Sequence, residues 1–125
     1  MLAEKLETII YRGVTNTRMR DFYDVYVLQV FPHCDFDADV LAKAIENTSK
    51  KRGTWEFMLD SRNRITDISS EVVMKELWKN YQNKFDFAQA YTWDEVVGAT
   101  ENLLLITGFI EKRSFEVLEN SSITL

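Results

Sequence analysis

Charged residues interrupt two strongly apolar helical patterns near the amino terminus, in the stretch from Leu2 to Leu28. The apolar residues of the first pattern recur at the spacing of an α-helix from Leu2 to Arg12, and Gly13 is a residue that readily ends a helix. Lys5 and Arg12 fall along one edge of that apolar face. Both cations therefore lie at the rim of a seam that another element must cover.

The second pattern is apolar almost all the way round, and Asp21 and Asp24 interrupt it. Their i, i+3 spacing places both carboxylates on one side of a helix, where burial is costly unless a cation is near. A short polar turn favours antiparallel packing of the two helices, so Lys5 or Arg12 is the expected partner, with Lys5 facing Asp24. We expect the second helix to be largely buried and to end at Pro32, which cannot continue the hydrogen-bond ladder.

The bulk composition describes a folded acidic protein. The chain has 125 residues, 46% hydrophobic content and a net charge of −5, which favours one domain and argues against a general affinity for nucleic acid. The single Cys34 excludes an internal disulfide framework and fits a reducing compartment. Since no secretory signal or apolar run of membrane length is present, we expect a cytoplasmic protein without a membrane partner.

Periodicity predicts a mostly α fold, a single compact domain of about five helices over residues 1–125. Besides the two helices above, a third opens at Asp37, a fourth near Ser70 and a fifth at Thr92. Thr92 and Glu95 have the spacing of a capping box, in which each side chain bonds the other residue's amide group. These caps give the helix starts a physical basis beyond the apolar pattern.

Two segments are harder to assign. Apolar and polar residues alternate at the start of residues 54–67, which leaves room for one short strand pair. Residues 109–125 show no clear period. The third helix should end in a basic cluster, Lys50–Arg52, which either complements the helix dipole or binds a phosphate.

Two local groups suggest a metal site, but both have a simpler interpretation. His33 and Cys34 are adjacent, yet adjacent side chains rarely chelate one ion and no other His or Cys exists, so a loop histidine and a partly buried thiol are expected. Asp35, Asp37 and Asp39 resemble a magnesium motif. The helical pattern that follows favours capping by Asp37 instead. We therefore predict no metal site in this chain.

The amino-terminal stretch also resembles a known family. The run A-E-K-L, then an arginine, a polar gap and R-M-R-D-F-Y-D-V resembles the later motifs of AbiEii-type nucleotidyltransferases, the toxins of bacterial toxin–antitoxin and phage abortive-infection systems. The family pattern is a lysine in an alanine- and leucine-rich helix, an arginine, and a basic residue directly before D-x-x-D. In this chain those positions are Lys5, Arg12, Arg20, Asp21 and Asp24.

The resemblance implies roles for these residues. Lys5, Arg12 and Arg20 would bind nucleotide phosphates. Asp21 and Asp24 would be catalytic with Lys5, by orienting the lysine or assisting the attacking group. The family's metal-binding part, a Gly-Ser motif and an Asp-x-Asp pair, precedes the lysine helix, and this sequence contains no Gly-Ser pair. The resemblance thus implies a C-terminal part that is inactive alone, with magnesium and an NTP as cofactors of the full architecture.

Partners follow from the same comparison. The resemblance implies a missing nucleotidyltransferase core or a cognate antitoxin. The alternative function is a free-standing helical protein-interaction module that forms a homo-oligomer, since a helical domain without its core would expose an apolar surface. A third interpretation is a purely structural ion pair between Lys5 or Arg12 and the two carboxylates. Of these interpretations, only the nucleotidyltransferase function requires magnesium-dependent NTP binding.

Overall fold

The computed structural model describes residues 2–30 and 37–111, and most of these residues are helical. Over these ranges the chain forms seven α-helices and two 3₁₀ turns, Gly13–Thr15 and Asp86–Ala88. The α-helices in chain order are α1 (Leu2–Arg12), α2 (Met19–Val30), α3 (Ala38–Arg52), α4 (Trp55–Leu59), α5 (Ser61–Ser70), α6 (Val72–Lys84) and α7 (Trp93–Ile106). None of the helices in this part of the chain is long and apolar enough to cross a membrane.

Helix α1 lies at the centre of the packing. It contacts α2, α3, α4 and α5, while α2 also packs extensively against α7. Every α-helix contributes at least one large side chain that is no more than 2% exposed to solvent. These side chains are Leu6, Ile9, Ile10, Phe22, Ile45, Met58, Ile65, Ile68, Met74, Trp78, Leu103 and Leu104. Helices as short as α4 are unstable alone in water, so this shared core is what holds them.

The helix count and the strand pair are two expectations that the structure overturns. There are seven α-helices rather than about five, and residues 54–67 contribute to α4 and α5, with no strand in the described residues. The alternating apolar pattern wrongly predicted a strand. Phe57 and Leu59 are exposed, at 38% and 62%, whereas Met58 between them is fully buried. The core-facing residues of this segment instead follow a helical spacing: Met58, Ser61, Ile65 and Ile68.

The predicted caps are confirmed. The Asp37 carboxylate accepts hydrogen bonds from the backbone N–H groups of Asp39, at 2.8 Å, and Val40, at 3.2 Å. This is the geometry of an N-cap for α3, so the predicted capping role of Asp37 is confirmed. Thr92 and Glu95 form both hydrogen bonds of a capping box at the start of α7.

Some predictions fall on residues outside the described ranges. They concern Pro32 as the end of the second helix, the loop with His33 and Cys34, and Asp35. Of the segment 109–125, only the first three residues are described.

The carboxyl end of α1 is fixed by a contact with α5. Arg64 donates hydrogen bonds to the carbonyl oxygens of Ile10, at 2.5 Å, and Tyr11, at 2.8 Å. These are carbonyls that a helix end leaves without an intrahelical partner. The chain leaves α1 through Gly13, which has a φ of +54°, and a Cβ atom built on Gly13 would lie 3.0 Å from Arg64 Nη2.

We predict that Gly13→Ala lowers the free energy of unfolding by about 2 kcal/mol. Part of the loss is the cost of placing an L side chain in the left-handed region, and the rest comes from pushing Arg64 off the α1 carbonyls. Gly53→Ala is the matched control because Gly53 has a φ of +74° with nothing within 4 Å of an added Cβ. Urea denaturation should show the larger loss for Gly13→Ala. Equal losses would mean that Arg64 moves aside at no cost.

Candidate functional site

The seam between α1 and α2 brings Lys5 to the two predicted carboxylates. The Lys5 ammonium donates a hydrogen bond to Asp24 Oδ2 at 3.0 Å, and its Nζ lies 3.9 Å from Asp21 Oδ1. The predicted contact between Lys5 and Asp24 is therefore present. The side chains of Lys5 and Asp24 retain 22% and 26% of their exposure, so this pair remains accessible from outside.

Two arginines at the start of α2 add further positive charge, Arg18 directly before the helix and Arg20 in its first turn. Arg18 Nη2 lies 3.8 Å from Asp21 Oδ1, and Arg20 Nε lies 3.7 Å from Asp24 Oδ2. The largely exposed Arg20–Asp24 pair contributes little stability, whereas Arg18 helps to compensate the buried Asp21 carboxylate. Arg18 was not among the residues predicted from the sequence, although its position three residues before Asp21 is a signal that could have identified it.

These charged groups line one cleft of about 480 Å³, here called the charged cleft, whose lining consists of Lys5, Arg18, Arg20, Asp21, Asp24, Val27 and Leu28. With three cations and two carboxylates, the lining carries one net positive charge. It therefore favours an anionic ligand even though the whole chain is acidic.

Helix α2 is less buried than its composition predicted. Phe22 and Val25 are completely buried, but Val27 and Leu28 are only partly buried and Val30 is 53% exposed. Helix α2 packs against α1, α6 and α7, and its residues Val27 and Leu28 line the charged cleft. Val27 and Leu28 thus form an apolar wall beside the charged residues.

Asp21 lies deeper than Asp24. Its side chain is 5% exposed, and its Oδ2 atom is buried without a hydrogen-bond partner among the described residues. A buried carboxylate is costly unless cations compensate it, and Lys5 and Arg18 are the cations within 4 Å of Asp21. Asp21 is therefore a fixed negative charge beneath Lys5.

Arg12 is not part of this cluster. It lies two helical turns beyond Lys5, about 10 Å along the axis of α1, and it is exposed. Among the ion pairs of the described residues, none joins Arg12 to Asp21 or Asp24, and Arg12 is not among the residues that line the charged cleft. Of the two candidate cations, Lys5 is the one that the packing brings to the carboxylates.

A second ion pair on α1 was not predicted from the sequence. Glu7 is only 2% exposed, and its carboxylate accepts hydrogen bonds from Arg52 Nη1 at 2.6 Å and Thr54 Oγ1 at 2.8 Å. This network joins α1 to the end of α3 and the start of α4. The available signal was the position of Glu7 on the helix, four residues after Ala3 and three before Ile10, which places it on the buried face.

The basic end of α3 is largely engaged within the protein. Arg52 pairs with Glu7, and Lys50 donates a hydrogen bond to Glu46 at 2.7 Å while lying 5.0 Å from the centre of the Trp55 ring. The hydrogen bond and the charge of Lys50 hold the pKa of the exposed Glu46 carboxyl below its usual value. Lys50 and Arg52 therefore have partners within the protein, and neither the helix-dipole role nor the phosphate-binding role predicted for this cluster is tested by these contacts.

The geometry describes an α-helical domain with a cation-rich cleft at the seam of its first two helices. Residues 1–99 of the 125-residue chain match the family model described as "Nucleotidyl transferase AbiEii toxin, Type IV TA system". The chain therefore belongs to the AbiEii family, which confirms the resemblance of the amino-terminal motifs. No curated protein and no solved structure gives a significant match.

The two ion pairs of α1 should respond differently to the loss of their cation. We predict that Arg52→Met lowers the free energy of unfolding by about 2–3 kcal/mol, because the buried Glu7 loses the cation that compensates it. Lys5→Met should change it by less than about 1 kcal/mol, because Asp21 and Asp24 keep Arg18 and Arg20 nearby.

Urea denaturation at neutral pH checks both values. A loss of several kcal/mol in Lys5→Met would contradict this prediction and identify Lys5 as a structural partner of the carboxylates.

Proposed function

We propose that this chain supplies the phosphate-binding part of a nucleotidyltransferase toxin's active site, with the triphosphate of an NTP lying in the charged cleft. The observation that supports the proposal most directly is the position of Lys5. Its ammonium lies between two carboxylates at the wall of a cleft that carries net positive charge and remains open to solvent.

Lys5 has the hydrogen-bonding capacity that the role requires. An ammonium group has three N–H donors. Among the described residues Lys5 donates one hydrogen bond, to Asp24, which leaves two donors for a phosphate oxygen. A cation held in this way stabilises the negative charge of a phosphoryl group during its transfer.

The carboxylates would act on Lys5 rather than on a metal. Asp24 orients the ammonium through their hydrogen bond, and as a partly exposed carboxylate it can instead accept a proton from an attacking group. Asp21 is buried beside them and supplies a countercharge. Arg20, which is 77% exposed, can bind a second phosphate oxygen, and we keep Arg12 as a candidate for the far end of the ligand.

Magnesium, which the family resemblance implies, does not fit this pair of carboxylates. Lys5, Arg18 and Arg20 all lie within 4 Å of Asp21 or Asp24, so a divalent cation would meet strong repulsion there. The described residues contain no group of three or more His, Cys, Asp or Glu side chains placed to hold a metal ion. We therefore place the carboxylates that hold magnesium in another segment, and expect no nucleotidyl transfer without them.

A protein partner is part of the proposal, since toxins of a type IV system are paired with an antitoxin. Exposed apolar residues lie on several helices, among them Val40 at 67%, Leu59 at 62% and Val72 at 64%. Such residues also support the alternative function, a helical interaction module that self-associates. Sedimentation analysis separates the two, because the module would form a stable oligomer without nucleotide.

We predict saturable binding of an NTP to this chain in the presence of magnesium, measured by isothermal titration calorimetry. Lys5→Met should weaken binding by about tenfold or more, which corresponds to about 1.4 kcal/mol, the size of a hydrogen bond to a charged group. Lys75→Met is the matched control because Lys75 is an exposed lysine on α6, outside the charged cleft. Binding that is absent, or equally strong in both variants, would contradict the proposed function.

A further inference from the structure

A second cleft adjoins the charged cleft and differs from it in chemistry. Its volume is about 560 Å³, and four aromatic side chains line it: Tyr23, Tyr81, Phe85 and Phe87. We call it the aromatic cleft. Arg18, Arg20 and Asp24 line both clefts and so form their common wall. A ligand with an aromatic end and an anionic end could therefore occupy both.

The aromatic rings form a continuous surface rather than isolated contacts. Ring centres are 4.8 Å apart between Tyr23 and Phe87, 4.8 Å between Tyr81 and Phe85, and 5.4 Å between Phe85 and Phe87. The inner rings belong to helices α2 and α6. The two outer ones, Phe85 and Phe87, are 39% and 49% exposed. Large apolar rings that share one exposed surface commonly mark a binding site.

The segment that carries the outer rings is firmly attached to the protein. The Gln82 amide donates hydrogen bonds to the carbonyl oxygens of Ala88, at 3.3 Å, and Tyr91, at 2.7 Å. Gln89 Nε2 donates in return to the Gln82 carbonyl at 3.2 Å, and Ala88 is completely buried. Phe85 and Phe87 are therefore exposed on a turn that hydrogen bonds hold in place.

We propose that the aromatic cleft binds the nucleobase of the nucleotide whose phosphates lie in the charged cleft. The inference rests on the proposed function and extends it to the base. Every nucleobase has a π face that stacks on aromatic rings and on arginine guanidinium groups, and a drug-sized ligand fits a cleft of this volume. Arg18 and Arg20, on the common wall, would lie between the base and the phosphates.

The charges of the chain favour a single nucleotide over a nucleic acid strand. A strand would bring many phosphates to a chain whose net charge is −5, whereas one nucleotide needs only the local cations of the charged cleft. Burial, together with nearby negative charge from Asp24, raises the pKa of both Tyr23 and Tyr81. Both phenols therefore stay neutral at physiological pH and add no repulsion.

The test compares nucleotides with a triphosphate ligand that carries no base. Isothermal titration calorimetry of the full chain is carried out with each of the four common NTPs and with inorganic tripolyphosphate, at equal magnesium. We expect at least one NTP to bind about tenfold more tightly than tripolyphosphate, the contribution typical of one stacked base. Phe87→Leu should remove most of that advantage and leave tripolyphosphate binding unchanged.

Phe57→Leu is the matched control, because Phe57 is 38% exposed but lies on α4 against Tyr11, outside the aromatic cleft. Circular dichroism verifies folding, and Phe85→Leu replaces Phe87→Leu if the latter does not fold. Equal binding of all NTPs and tripolyphosphate, with no effect of Phe87→Leu, would overturn the base site while Lys5-dependent phosphate binding still stood. Failure of both ligands to bind would overturn the proposed function itself.

Discussion

Helix α1 carries a cation and a carboxylate on sides that its neighbours cover, and the rest of the fold is arranged to compensate both. Lys5 faces Asp21 and Asp24 on α2. Glu7 faces Arg52 at the end of α3 and Thr54 just after it. The apolar residues of α1 that lie between these charged side chains fill the core. Several registers of the neighbouring helices could bury such apolar residues. Burying a charge without its partner costs far more than shifting an apolar contact. We infer that the pairing of the buried Glu7 with Arg52 helps to fix the register of α3 against α1.

The two pairs differ in a way that separates structure from function. Glu7 is enclosed, and its carboxylate oxygens accept hydrogen bonds from Arg52 and Thr54. Lys5 is partly exposed, uses one donor among the described residues, and lies at the wall of a cleft. A buried carboxylate with both oxygens hydrogen-bonded is best suited to holding helices together. A cation that is anchored on one side and accessible on the other is suited to binding an anion.

Local signals in the sequence predicted the elements whose cause is local. Asp37 and the pair Thr92–Glu95 cap helices through bonds within three residues, and α1 has the predicted bounds because its apolar spacing and Gly13 are both local features. The contact between Lys5 and Asp24 was predictable since a short turn joins their helices. The family resemblance came from residue types in order, and the match of residues 1–99 to the family model confirmed it.

The features that were missed depend on residues far apart in the chain. Thr54 reaches Glu7 across 47 positions, and Arg52 reaches it across 45, so no window of sequence contains both ends of that network. Helix α4 has five residues, too few for a period to distinguish it from a strand. The aromatic cleft likewise combines Tyr23 of α2 with Phe87 beyond α6, and only tertiary packing shows that these rings meet.

The most direct test of this account is to observe the Lys5 side chain itself by nuclear magnetic resonance while a nucleoside triphosphate is added. The Hε–Cε signal of Lys5 can be assigned by its disappearance in Lys5→Met. We predict a saturable shift of this signal that exceeds the shifts of Lys50 and Lys51 at the basic end of α3. An unchanged Lys5 signal, together with shifts at Lys50 and Lys51, would contradict the account and place the phosphate at the helix end.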